Sequence, residues 1–184
     1  VSILKDALQK SALAALKNIR QKFSPFIGWQ EQCKNPKLSG NFIWTDKLGN
    51  YKSQIMYTKG VVRLLGLSGL GKTKFIFECF RDSESKSQYL YCDCQKAEST
   101  KIKEKLSYFF KDCKEAILIL DNCNKTLLSE TIDLKSEIQN ATNTIIAIYN
   151  EPEERQMQDI KYVILDHHEE EIVEQLVAQR IGTF

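Results

Sequence analysis

Eight consecutive residues, Gly66-Leu67-Ser68-Gly69-Leu70-Gly71-Lys72-Thr73, carry the most specific chemical signal in the chain. They fit G-x-x-x-x-G-K-[ST] at every fixed position, a pattern that wraps phosphate oxygens in backbone amides. Glycines at 66, 69 and 71 remove the Cβ atoms that would block close approach of an anion. Lys72 can reach β- and γ-phosphates and the Thr73 hydroxyl can ligate Mg²⁺, while a helix starting here adds its positive dipole end. The candidate contacts for ATP or ADP are therefore Gly66, Ser68, Gly69, Leu70, Gly71, Lys72, Thr73 and Lys74. A ligand-free glycine turn between strand and helix is the alternative.

A second signal lies downstream, where Ala116-Ile117-Leu118-Ile119-Leu120 runs into Asp121. This is the Walker B pattern, an acid at the end of a buried strand adjacent to the phosphate loop, able to hold Mg²⁺ through its water shell. Thr73 and Asp121 form the candidate metal pair; the alternative for Asp121 is a cap on the next segment. The residue that follows is Asn122, whose amide cannot accept a proton as a base. Slow hydrolysis is the expectation, unless Glu151, Glu153 or an acid from elsewhere serves. Asn150 ends the fourth strand and is read either as a sensor of the γ-phosphate or attacking water, or as a turn residue before Pro152. Lys72, Asp121 and Asn150 make up the candidate catalytic set.

Positioning these groups requires strands that stop where the polar residues begin. Short continuous apolar runs at 61–67, 89–92, 116–120, 144–149 and 162–165 predict parallel strands covered on both faces. Helical patterns fall between and after them, at 74–81, 101–111, 126–139 and 169–179. The expected fold class is α/β, a three-layer α/β/α arrangement around a five-stranded, mainly parallel sheet. Ahead of it, apolar spacing over 3–20 predicts an amphipathic helix that stops near Ser24, before Pro25. Residues 42–45 and 54–57 flank the turn-prone Lys47-Leu48-Gly49-Asn50 and predict a β-hairpin. The division drawn is 1–58 for helix and hairpin and 59–184 for the core.

Composition narrows the class. A length of 184 residues suits one such domain, and 42% hydrophobic with 27% charged residues can bury a core, which excludes disorder as the main state. Charged residues interrupt every apolar stretch, so no membrane span is expected. A net charge of +2 without a basic block does not indicate nucleic acid. The first residue is Val1 and no leader pattern follows, so a piece of a larger protein in the cytoplasm is expected. Six cysteines lack zinc spacing and read as reduced packing residues, Cys92 and Cys94 at a strand end among them. His167-His168 reads as a solvated helix start, and Glu169-Glu170-Glu171 as its acidic first turn.

On residues 61–73 and on Leu118-Ile119-Leu120-Asp121-Asn122, the chain resembles STAND-class P-loop NTPases, the group that includes NB-ARC-type ATPases and bacterial antiviral STAND proteins. The resemblance spans roughly 60–180. It implies an ATP-dependent signalling switch, with slow hydrolysis, homo-oligomerisation, and covalently linked sensor and effector domains outside this segment. Antiphage defence is the setting it implies. Phe26-Ile27-Gly28 resembles the Phe-x-Gly element that packs near adenine in such proteins, which makes Phe26 and Ile27 candidate nucleotide contacts. Here Trp29 stands where that element usually continues with Arg, and a place in the core is the other reading of Phe26 and Trp29. A closing helical lid is not apparent by Phe184. An AAA-like motor and a non-catalytic P-loop scaffold are the competing readings.

Overall fold

Strands covered on both faces need aliphatic side chains at successive positions, and five segments satisfy this: β2 (Val61–Leu65), β3 (Tyr89–Asp93), β4 (Ile117–Asp121), β5 (Thr144–Ile148) and β6 (Ile160–Ile164). The computed structural model describes residues 26–97, 99–112, 116–138, 142–150 and 157–166. A two-residue strand, β1 (Ile27–Gly28), adds an antiparallel edge through Ile27 opposite Tyr91. The six strands lie in the order β1-β3-β4-β5-β2-β6, all parallel except β1. The sequence counted five strands; the sixth is too short to carry a periodic signal.

Helices cover both faces. On one, α2 (Asp46–Tyr57) and α3 (Lys72–Cys79) bury Ile55, Phe75, Ile76, Cys79 and Phe80 against Val62, Leu64, Ile119, Ile146 and Ile148. On the other, α4 (Ser99–Asp112) and α5 (Lys125–Ser136) pack onto Leu90, Leu118, Leu120, Ile145 and Ala147. Ile102, Leu106, Phe109 and Phe110 recur along α4 at the i, i+4, i+7, i+8 spacing of one helical face. Asn124 caps α5 by accepting a hydrogen bond from the Leu127 amide at 2.9 Å. Each fully buried Leu, Ile or Phe contributes roughly 1.5–3 kcal/mol of transfer free energy. A one-turn helix, α1 (Trp29–Gln32), follows β1.

The hairpin expected over 42–57 is corrected: residues 46–57 form helix α2, and 42–45 are irregular chain leading into it. The Thr45 hydroxyl caps the helix by accepting from the Leu48 amide at 3.2 Å. Leu48, Tyr51 and Ile55, at i, i+3 and i+7, then face the core as a helical stripe. Gly49 costs about 1 kcal/mol in a helix interior, less than that stripe gains by burial. Phe42 and Trp44 pack on Phe75 with centroids 6.3 and 6.0 Å away, so they serve the α3 face without pairing as strands.

A buried cation braces the sheet. Arg63, in the middle of β2, is fully buried, donates from Nη1 to the Cys123 carbonyl at 2.5 Å, and lies 5.1 Å from the Tyr149 ring centroid. Cys79, Cys92 and Cys123 are buried, and burial pushes the Cys79 thiol up to about 12. Among the described residues, no helix is long and apolar enough to cross a membrane. The expected helices at 3–20 and 169–179, the stop near Ser24, Cys113, Glu151, Glu153, His167-His168 and Glu169-Glu170-Glu171 lie outside the described residues.

Where β2 runs out, Gly66 has φ +150°, and a Cβ there would sit 2.5 Å from the Leu165 carbonyl oxygen, a backbone atom just past β6. Gly69 also has positive φ, at +87°, yet a Cβ there meets nothing within 4 Å. Gly66→Ala is therefore expected to destabilise the fold by about 3 kcal/mol and Gly69→Ala by about 1 kcal/mol, the difference being the clash. Urea denaturation measures both, and equal losses would contradict the close approach at Gly66.

Candidate functional site

Strand alternation places the polar groups. Val62 and Leu64 of β2, Tyr89 and Tyr91 of β3, Ile117 and Ile119 of β4, and Ile146 and Ile148 of β5 all point to the α3 face. Two residues further along each run stand Gly66, Asp93, Asp121 and Asn150. The carboxyl ends of four neighbouring strands thus bring the phosphate-loop motif, two acids and an amide to one side of the sheet. The chain leaves β2 toward one edge and β5 toward the other, and ligands of open parallel sheets settle at such a reversal.

Gly66, Gly69 and Gly71 all have positive φ, and Gly71, at +77°, is the N-cap of α3. No side chain caps this helix, so its first amides face outward from a loop whose Leu67, Ser68 and Gly69 are exposed. Lys72 is only 4% exposed, and its ammonium donates to the carbonyls of Gly66 and Leu67, each at 2.7 Å. Two of its three N–H donors are used in this way. Burial pulls the Lys72 pKa below the ordinary lysine value, against the opposing pull of the Asp121 charge.

Asp121 is 7% exposed and accepts three hydrogen bonds. Its Oδ2 accepts from the Thr73 hydroxyl at 2.7 Å and the Tyr91 hydroxyl at 2.8 Å, and its Oδ1 accepts from the Asn122 backbone N–H at 2.9 Å. The expectation that β4 adjoins the phosphate loop is corrected, because β5 pairs with both β2 and β4 and lies between them. Thr73 meets Asp121 across that intervening strand because α3 packs over this face. Burial, then the Asp121 charge, raises the pKa of Tyr91 and keeps its phenol a donor.

Asn122 has φ +55°, a left-handed conformation that an asparagine tolerates. Its Nδ2 donates to Asp93 Oδ1 at 2.9 Å, and its Oδ1 accepts from Asn150 Nδ2 at 3.3 Å. Asp93 also accepts from the Gln95 amide at 3.2 Å and pairs with Lys96 at 3.1 Å. Burial works to raise the Asp93 pKa, but the bonds from Asn122 and Lys96 outweigh it and hold the carboxyl below its ordinary value.

The structure thus brings together Gly66, Gly69, Gly71, Lys72, Thr73 and Asp121, with Asn150 linked through Asn122. Leu70 is half-buried against the α3-face core. Lys74 turns away from the loop, donating to the Leu38 and Gly40 carbonyls and pairing with Glu78 at 2.6 Å. Phe26 and Ile27 are not brought to the loop. Phe26 is 4% exposed in the core on the α4 face, and Ile27 lies on the far edge strand, four spacings or about 19 Å from β2. Trp29 stacks on Phe77 at 5.0 Å, which makes it a packing residue.

Sequence reasoning missed Tyr91, Asp93 and Arg63. A signal existed for Asp93, since Tyr89-Leu90-Tyr91-Cys92 ends in an acid just as 117–120 does, and the two acids are register partners. Among the described residues, no group of three His, Cys, Asp or Glu could hold a metal. One hydroxyl and one carboxylate suit a cation that takes its remaining ligands from phosphates and water, as Mg²⁺ does.

No protein-family model matches the chain, and no curated protein matches it. Among solved structures it is similar to a Signal Transduction ATPase with Numerous Domains carrying a tetratricopeptide repeat sensor, from Pyrococcus horikoshii. That likeness has 16% identity and a TM-score of 0.48 over 77% of this chain and 26% of the other. It is also similar to C. elegans PCH-2, at 12% identity and a TM-score of 0.41 over 99% of this chain and 49% of that one. The chain therefore spans about a quarter of the first protein and about half of the second. Likenesses this distant concern the course of the chain and say nothing of its chemistry.

Proposed function

We propose that residues 66–73 bind the phosphates of ATP with Mg²⁺, and that the chain is the nucleotide-binding switch domain of a STAND-type ATPase. The observation that carries this reading is the 2.7 Å contact between Thr73 Oγ1 and Asp121 Oδ2, beside an uncapped helix start and a buried ammonium. A glycine turn without a ligand has no need of that constellation. Thr73 and Asp121 would hold Mg²⁺, which would supply neutralisation of charge on the phosphate oxygens. The chain's own groups do the rest. Lys72 and the amides of the loop grip phosphate oxygens, the Tyr91 phenol orients the Asp121 carboxylate, and Asn150 offers an amide at the end of β5.

Asn122 favours a switch over a motor. It occupies the place after Asp121 where a second acid would polarise the attacking water, and its amide is engaged at both ends. Turnover is accordingly slow, and the nucleotide acts by biasing a conformational equilibrium. In the longer protein this reading implies, the equilibrium governs oligomerisation and the activity of an attached effector, in the antiviral setting that the sequence resemblance suggests.

Lys72→Ala is expected to weaken ATP binding roughly 30-fold or more, the cost of removing a buried hydrogen-bonded charge, about 2 kcal/mol or above. Titration with a fluorescent ATP analogue measures this, with circular dichroism confirming the fold; unchanged affinity in a folded variant would overturn the reading. Affinity should also depend on pH. The ammonium is the binding form and its pKa is depressed, so rising pH neutralises it and weakens binding before the ordinary lysine value of 10.5 is reached. A flat affinity profile up to that value would contradict the assignment of Lys72.

A further inference from the structure

We propose that Asp93 is a positioning residue that sets, through Asn122, which way the Asn150 amide is turned toward the phosphate end of the site. This inference rests on the nucleotide reading above. The ends of β3, β4 and β5 carry a chain of hydrogen bonds from Asn150 Nδ2 to Asn122 Oδ1 at 3.3 Å, and from Asn122 Nδ2 to Asp93 Oδ1 at 2.9 Å. β5 is the direct neighbour of β2, so the chain of bonds ends beside the loop that follows β2.

An asparagine side chain can present oxygen or nitrogen in either direction, and its neighbours decide which. An ionised carboxylate can only accept. The Lys96 ammonium and the Gln95 amide keep Asp93 in that form. Asn122 must therefore turn its NH₂ toward Asp93 and its carbonyl toward β5. Asn150 must in turn point its NH₂ at Asn122, which leaves one N–H and its carbonyl oxygen for a terminal phosphate or a water. The left-handed backbone at Asn122 serves the same end by aiming one short side chain at both neighbouring strands.

Asn122 alone has no polarity to impose, since a flipped amide pairs equally well with a flipped Asn150. The acceptor oxygen that Asp93 presents breaks that symmetry, because the Gln95 backbone amide donates to the same Oδ1 and fixes an acceptor there. Loss of that acceptor should affect recognition of the terminal phosphate and leave the grip on the inner phosphates to the loop and Lys72. Asp93→Asn keeps the shape of the side chain, and the Gln95 amide keeps its oxygen, not its NH₂, at the Oδ1 position. It should therefore hold the parent polarity that Asp93→Ala loses, which separates a polarity role from an effect of charge.

The test is calorimetric titration of the complete chain with Mg-ADP and with a non-hydrolysable Mg-ATP analogue, for the parent, D93N, D93A, N150A and D93A/N150A. The expected result is ADP affinity within about twofold of the parent in every variant. The ratio of analogue to ADP affinity should fall roughly three- to tenfold in D93A and N150A alike, with no further fall in the double variant, and stay within about twofold of the parent in D93N. An unchanged ratio in D93A or N150A, a D93N that falls as far as D93A, or additive losses in the double variant would overturn the proposal. A parent chain that binds neither nucleotide overturns the nucleotide reading itself and this proposal with it, and is told apart from the other outcomes by the absent ADP heat.

Discussion

The contact between the Thr73 hydroxyl and the Asp121 carboxylate joins the first turn of α3 to the end of a strand that is not its neighbour. It exists because α3 packs over the face on which β4 displays its odd-numbered residues, and because β5, between them, is no longer than β4. Every other feature of the site is arranged around that bridge. The Tyr91 hydroxyl and the Asn122 backbone N–H hold the same carboxylate from other directions. The Lys72 ammonium is buried close enough for the Asp121 charge to offset part of its desolvation. In such a setting, with little water to screen it, a charge pair acts over distances at which it would be ineffective on a surface.

A parallel sheet makes this concentration of chemistry possible. All five long strands point the same way, so each apolar run ends at the same edge, and whatever polar residue follows is delivered there. The loop, Asp93, Asp121 with Asn122, and Asn150 are four such deliveries from β2, β3, β4 and β5. None needs a long loop to reach its place. The groups are therefore held by strand ends rather than by long loops, as the proposed distinction between nucleotide states requires. The buried Arg63 adds rigidity from the other face by fixing the carbonyl of Cys123, the residue after Asn122.

Much of this was legible in the residues. The glycine-lysine-threonine loop and the apolar runs flanking it declare themselves through composition and spacing, and the five long strands lie within two residues of where those runs place them. Strand order is another matter, since nothing local in 117–121 says that β5 will insert between β4 and β2. Helix α2 was misread because Gly49-Asn50 is a turn signal taken alone. The Thr45 cap and the stripe through Ile55 override it only when the whole twelve-residue segment has a core to face. Phe26 followed a family pattern, yet burial on the α4 face decided its place. Asp93 and Tyr91 escaped notice because their significance is a partnership across the sheet, with Asn122 and with Asp121, that a linear pattern does not contain.

Mg²⁺ dependence tests most directly whether the carboxyl ends of these strands hold a metal-bound triphosphate. Isothermal titration of the complete chain with ATP should show saturable heat in the presence of Mg²⁺, and affinity at least tenfold lower when the metal is chelated, since Thr73 and Asp121 then face the phosphates without their shared cation. No binding in either condition, or equal affinity with and without the metal, would contradict it.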